Sequence, residues 1–120
     1  MNRGPVLLWV RHPPHSTVHF SEGVRVAAMT SALGTPVRLL FIADGVRALV
    51  DGQEPYRLGP PVDKSLRDIV TSERPALGHA PSLALRGLGP EHLSPGVPFR
   101  LVDDTQVADL LLGSAQVVPL

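Results

Sequence analysis

The run Leu39-Leu40-Phe41-Ile42-Ala43 constrains this chain more than any other stretch, because five apolar side chains in succession leave no face for water. A half-buried strand alternates and an amphipathic helix repeats every three to four residues; an unbroken apolar run belongs to a strand buried on both faces. Such strands are parallel, sit in the middle of a sheet and need helices above and below. The run stops at Asp44-Gly45, a helix-like run over residues 46–50 follows, and Asp51-Gly52 closes the unit. In an open parallel sheet, the loop at the carboxyl end of a central strand faces whatever site exists. Asp44 lies on that loop. Its simplest role is to N-cap the following helix, its carboxylate accepting backbone N–H bonds.

The rest of the chain is punctuated in the same way. Residues 6–10, VLLWV, form a second wholly apolar run and a first buried strand, with Trp9 as core packing. Residues 11–20, RHPPHSTVHF, read as a loop, since Pro13 and Pro14 fix φ and prevent a helix from starting there. A helix is expected from about Ser21, with Val24, Ala27 and Ala28 at helical spacing, ending at Gly34. Residues 53–61 are loop, and Asp63 is placed to cap a helix from Lys64 to about Ser72 with Leu66, Ile69 and Val70 as its apolar stripe. On its wet face Asp63 and Arg67, and Lys64 and Asp68, stand four apart. The segment LGHA at residues 77–80 suits the end of a small strand that leads into a helical turn from Pro81 to Arg86, stopped by Gly87. A further helical turn over residues 90–93, a strand FRLV at residues 99–102, a helix opened by Asp103-Asp104-Thr105 and ended by Gly113, and an edge strand QVVPL complete the chain. Strand and helix in alternation predict one α/β domain over residues 1–120. The expected architecture is a three-layer sandwich, with a roughly five-stranded, mostly parallel sheet and helices on both faces.

Several functions are disfavoured by composition. Eleven basic and 11 acidic side chains balance to zero net charge and are spread along the chain, so direct nucleic-acid binding is not expected. No cysteine is present, which removes disulfides, thiolate metal sites and thiol nucleophiles. No apolar run approaches the roughly 20 residues of a membrane helix. The opening Met1-Asn2-Arg3-Gly4-Pro5 leads into only about five apolar residues, too few for a signal-peptide core. A cytoplasmic location is the expectation, with no membrane contact.

The chemistry-bearing residues are few. His12, His15 and His19 share the first loop in H-x-x-H-x-x-x-H spacing, but two prolines stand between the first pair and no acidic ligand is near, so no metal site is expected. A Ser/His/Asp set drawn from Ser16, His15 or His79, and Asp44 has no G-x-S-x-G elbow to expose its serine. Neither glycine-rich phosphate loop occurs after a strand, and no cofactor is expected.

Taken in order, the motifs resemble the DsrE/DsrF-like sulfur-relay family, and within it the TusC/DsrF branch. The resemblance rests on RHPPH (residues 11–15) after an apolar strand, SEG (21–23) at a helix start, AMTSAL (28–33), FIADGV (41–46), ALVDGQ (48–53) and SLALRGL (82–88) ahead of the strand around Phe99. It implies a DsrEFH-like sandwich of the flavodoxin or Rossmann kind. It implies assembly as a homo-oligomer (dimer, trimer or hexamer) or a hetero-oligomer with DsrE/TusD-like subunits. It also implies persulfide transfer, towards 2-thiouridine in tRNA or in dissimilatory sulfur metabolism. In the DsrE/TusD branch a cysteine just before the R-G segment carries the sulfur. Counted back from Arg86-Gly87, the matching position here is His79. A persulfide needs a thiolate, so this chain cannot carry sulfur itself. The resemblance therefore implies a non-catalytic subunit that docks or shapes a cysteine-bearing partner, with His79 able to favour the partner's persulfide by hydrogen bond or charge. The alternative is a homo-oligomeric small-ligand-binding or hydrolytic protein using His15, Asp44 and His79.

Overall fold

The computed structural model describes residues 5–12, 18–50, 66, 67 and 69–119, with residues 18–22 described by their backbone alone. Its strands are β1 (Val6–Val10), β2 (Val37–Phe41), β3 (Ala76–His79), β4 (Phe99–Val102) and β5 (Gln116–Pro119). They form one sheet in the order β4-β3-β2-β1-β5, and every ladder in it is parallel. The apolar run that opens the sequence argument thus forms the central strand. Leu39 and Phe41 pack on one side of the sheet and Leu40 on the other, each at most 2% exposed. Burying each such side chain is worth roughly 1.5–3 kcal/mol, which is why no alternation was needed.

Parallel strands require crossovers, and these supply the two outer layers. On one face α1 (Val18–Ala32), a 3-10 helix (Ala43–Leu49) and α2 (Ala80–Leu85) cover the sheet. Ala27, Val46, Leu49 and Leu83 meet Leu8, Val10, Leu39, Phe41 and Ala76 there. On the other face α3 (Asp104–Gly113) lays Val107 against Leu7, Leu40, Leu77 and Val102. The expected three-layer α/β sandwich is the observed one. Among the described residues, no helix is long and apolar enough to cross a membrane.

Helix ends follow their local chemistry. At the end of α1, Thr35 N–H bonds to Thr30 O and Gly34 N–H to Ser31 O, with Gly34 at φ 88°: the left-handed turn that glycine adopts without strain. The end of α2 repeats it, Leu88 N–H on Leu83 O and Gly87 N–H on Ala84 O, with Gly87 at φ 68°. At the start of α3, Asp103 accepts from Gln106 N–H at 2.8 Å and Gln106 Oε1 accepts from Asp103 N–H at 2.9 Å, a complete capping box.

The differences from the sequence reading lie at boundaries. Helix α1 begins at Val18 rather than Ser21, so His19 lies in a helix and not in the loop. Proline disfavours helix at the residue before it and breaks a helix interior, but it sets no limit on a helix that starts a few residues on. Strand β2 stops at Phe41, two residues short of the apolar run, because Ile42 turns the chain into the 3-10 helix. The helix read through Ser72 ends by Val70. Thr71 and Arg74 then close a turn on each other, Thr71 N–H to Arg74 O and Arg74 N–H to Thr71 Oγ1. The loop at residues 53–61, Asp63, Lys64 and Asp68 lie outside the described residues. Trp9 is half-buried, and its Nε1 has no hydrogen-bond partner among the described residues.

Candidate functional site

The carboxyl ends of β2, β3 and β4 bring several polar side chains together. Strand β3 ends on His79, and α2 starts with the next residue. One turn on, Ser82 returns beneath the ring, and its Oγ lies 2.6 Å from His79 Nδ1. From the other side α3 presents Asp104, whose Oδ1 is 2.6 Å from His79 Nε2. An ionised carboxylate has no proton to offer, so His79 donates from Nε2 to Asp104. In the neutral ring Nδ1 then accepts the Ser82 hydroxyl proton. Ser82 Oγ in turn accepts the Ala43 N–H at 2.9 Å. His79 is 8% exposed and Ser82 5%, so the relay Ser82–His79–Asp104 is closed to solvent except at Asp104.

A second tie runs alongside. Arg86, at the end of α2, donates from Nε and Nη2 to Asp44 Oδ1 at 3.0 and 2.8 Å, and from Nη1 to Ser82 O at 2.9 Å. The two networks meet at Ser82, which holds the ring of His79, the loop after β2 and the guanidinium of Arg86. Ala43 adopts φ 53°, a left-handed conformation costing a non-glycine residue roughly 1–2 kcal/mol. Gly45 follows because a Cβ there would run into the Val10 carbonyl at the end of β1. The loop after β2 is therefore held against both neighbouring strands.

These contacts revise several sequence readings. Asp44 is not a helix cap: the N-cap of the 3-10 helix is Ile42, no side chain caps it, and the Asp44 carboxylate is turned to Arg86. Asp44 and His79 do share one neighbourhood, joined through Arg86 and Ser82. His15 and Ser16 lie outside the described residues; His12 is described, and of His19 only the backbone. The triad drawn from Ser16, His15 or His79, and Asp44 gives way to one built from Ser82, His79 and Asp104. Nor is His79 free to hydrogen-bond a persulfide from outside, since both ring nitrogens are engaged within the chain. Sequence reasoning used Ser82 and Arg86 only as parts of SLALRGL and Asp104 only as a helix start. The spacing of His79, Ser82 and Arg86, three and then four apart across a helix start, was a signal that they share a face.

Chemically, the relay can polarise the Ser82 hydroxyl and stabilise an imidazolium against Asp104, as in acyl transfer. Its burial, and the Ala43 N–H already on Oγ, make it first a lock between β3, α2, α3 and the loop after β2.

A parallel five-stranded sandwich, with its polar residues gathered where β3 passes into a short helix, defines a small α/β protein with its site at the carboxyl edge of the sheet. The particular family is the DsrE/DsrF-like family, to which this chain belongs; the family's model matches residues 5–120. The crystal structure of the ychN protein from E. coli is similar in fold, with a TM-score of 0.83 at 18% identity, covering 98% of this chain and 99% of that one. No curated protein matches the sequence.

Proposed function

We propose that this chain is a non-carrier subunit of a sulfur-relay system, of the DsrF/TusC type, docking a cysteine-bearing DsrE/TusD-like partner and shaping that partner's site, in the pathway to tRNA 2-thiouridine or in dissimilatory sulfur metabolism. One observation carries the reading: a family member without any cysteine holds, at the position matching the carrier thiol, a histidine tied off on both nitrogens. Nothing at that position can form a persulfide, and the ring offers no donor to one. The role left to the chain is that of a surface. Supporting a surface role, Val26, Met29 and Leu33 follow one another at helical spacing along and just beyond α1, 50%, 60% and 84% exposed. Isolation of the tagged chain from its native cells, with partners identified and their cysteines assayed for persulfide, tests this. Recovery of a persulfidated DsrE-like or TusD-like protein is the expected result. Recovery of the chain alone as a clean homo-oligomer sinks the reading.

The second reading, hydrolysis, draws on the Ser82–His79–Asp104 relay rather than on His15 and Asp44. It requires turnover of an activated ester that Ser82→Ala abolishes. Turnover unchanged in that variant, or none in the parent protein, removes it.

A further inference from the structure

A second polar site occupies the opposite end of the sheet, where the family reading assigns no role. The register pairs Leu7 with Arg38, Leu40 with Leu77 and Leu77 with Arg100, so both arginines stand on the face covered by α3. There they line a pocket of about 310 Å³ together with Pro5, Val102, Gln106 and Asp109. That size is at the lower end of small-molecule sites. Arg38 is half-buried, yet neither it nor Arg100 has an ion-pair partner among the described residues. Asp109, which also lines the pocket, has none either. Arg38 is also under like-charge pressure: burial first, then Arg100 and Arg74, lower its pKa below the usual arginine value. A depressed base binds its proton less tightly folded than unfolded. Its charge therefore opposes folding in full below the folded pKa, neutral pH included, and the cost falls away only as pH rises from the folded pKa to the unfolded one.

Two guanidiniums that line one recess with a single carboxylate, neither of them ion-paired among the described residues, leave it net positive and suit it to an anion. Guanidinium forks match tetrahedral oxyanions, taking two oxygens at once. Gln106, whose Oε1 accepts from Asp103 N–H, also lines the pocket and carries amide N–H₂ donors. We propose that this pocket binds a phosphate-class oxyanion carried on a small molecule, with Arg38 and Arg100 on the oxyanion and Asp109 accepting from a hydroxyl of the remainder. The site is independent of the sulfur-relay reading, since it uses neither His79 nor the α1 surface.

Calorimetric titration of the intact protein with inorganic phosphate and with glycerol 3-phosphate, each against chloride at matched ionic strength, tests it. Both probes are expected to bind and to raise the melting temperature by roughly 3–6 °C at tenfold excess over Kd. Arg38→Gln and Arg100→Gln should each weaken binding by at least about tenfold, whereas Arg25→Gln, on α1, should not. Tighter binding of glycerol 3-phosphate that Asp109→Ala removes supports the hydroxyl contact. Arg38→Gln should melt higher than the parent protein in low-salt chloride, which shows that it folds and that an uncompensated charge has gone. No binding of either probe, binding that survives both arginine substitutions, or an effect that chloride reproduces overturns the proposal.

Discussion

His79 shows how far one buried side chain can tie the edge of a sheet together. At the end of β3 it is buried on two short contacts, to Ser82 and Asp104. Removing the ring leaves the buried Ser82 hydroxyl without its acceptor. His79→Ala should therefore cost about 1–3 kcal/mol in urea unfolding. Asp104 is 85% exposed, so water compensates most of its loss and Asp104→Asn should cost under about 1 kcal/mol. Equal, small effects from both substitutions would mean that the relay does not hold the edge of the sheet. His79→Cys, which places a thiol at the end of β3, should gain no persulfide from a polysulfide donor, because the position is closed to solvent; labelling detected by mass spectrometry would show an open path to it.

Glycines and caps decide where the helices start and stop, and they do so unequally. Gly45→Ala puts a methyl group into the Val10 carbonyl, backbone that has nowhere to move, and about 2–3 kcal/mol of destabilisation is expected. Gly34→Ala meets no atom within 4 Å but must hold φ 88°, at a cost of roughly 1–2 kcal/mol. Gly113→Ala, in the last turn of α3 with open space and ordinary φ, should be neutral or gain up to about 1 kcal/mol. Midpoints of urea unfolding for the three variants check this order, and a destabilised Gly113→Ala would show that α3 ends differently. The same logic explains what could be read in advance. Asp103-Asp104-Thr105, Gly34 and Gly113 are local signals, set by residues within a few positions, and α3 and the end of α1 were legible from them. The partner of Asp44 was not, because Arg86 lies 42 residues away and only the crossover through β3 brings it near.

For the assembled molecule, the surface matters most. If Val26, Met29 and Leu33 form the docking stripe of the proposed subunit, Met29→Glu with Leu33→Asp should leave the fold intact and dissolve the assembly. Light scattering after size exclusion, beside far-ultraviolet circular dichroism, reads both; an unchanged assembly places the interface elsewhere.

The order of elements, the buried central strand and the two-faced sheet were written in the amino-acid sequence, because apolar runs and turn residues act over short separations. The absence of a carrier thiol was likewise a matter of composition alone. Only tertiary structure joined Ser82, His79 and Asp104, turned Asp44 away from its helix towards Arg86, and brought Arg38 and Arg100 to the lining of one pocket. Each of those contacts is a meeting of side chains from different strands and helices, and the parallel register that creates it carries no mark in any one segment.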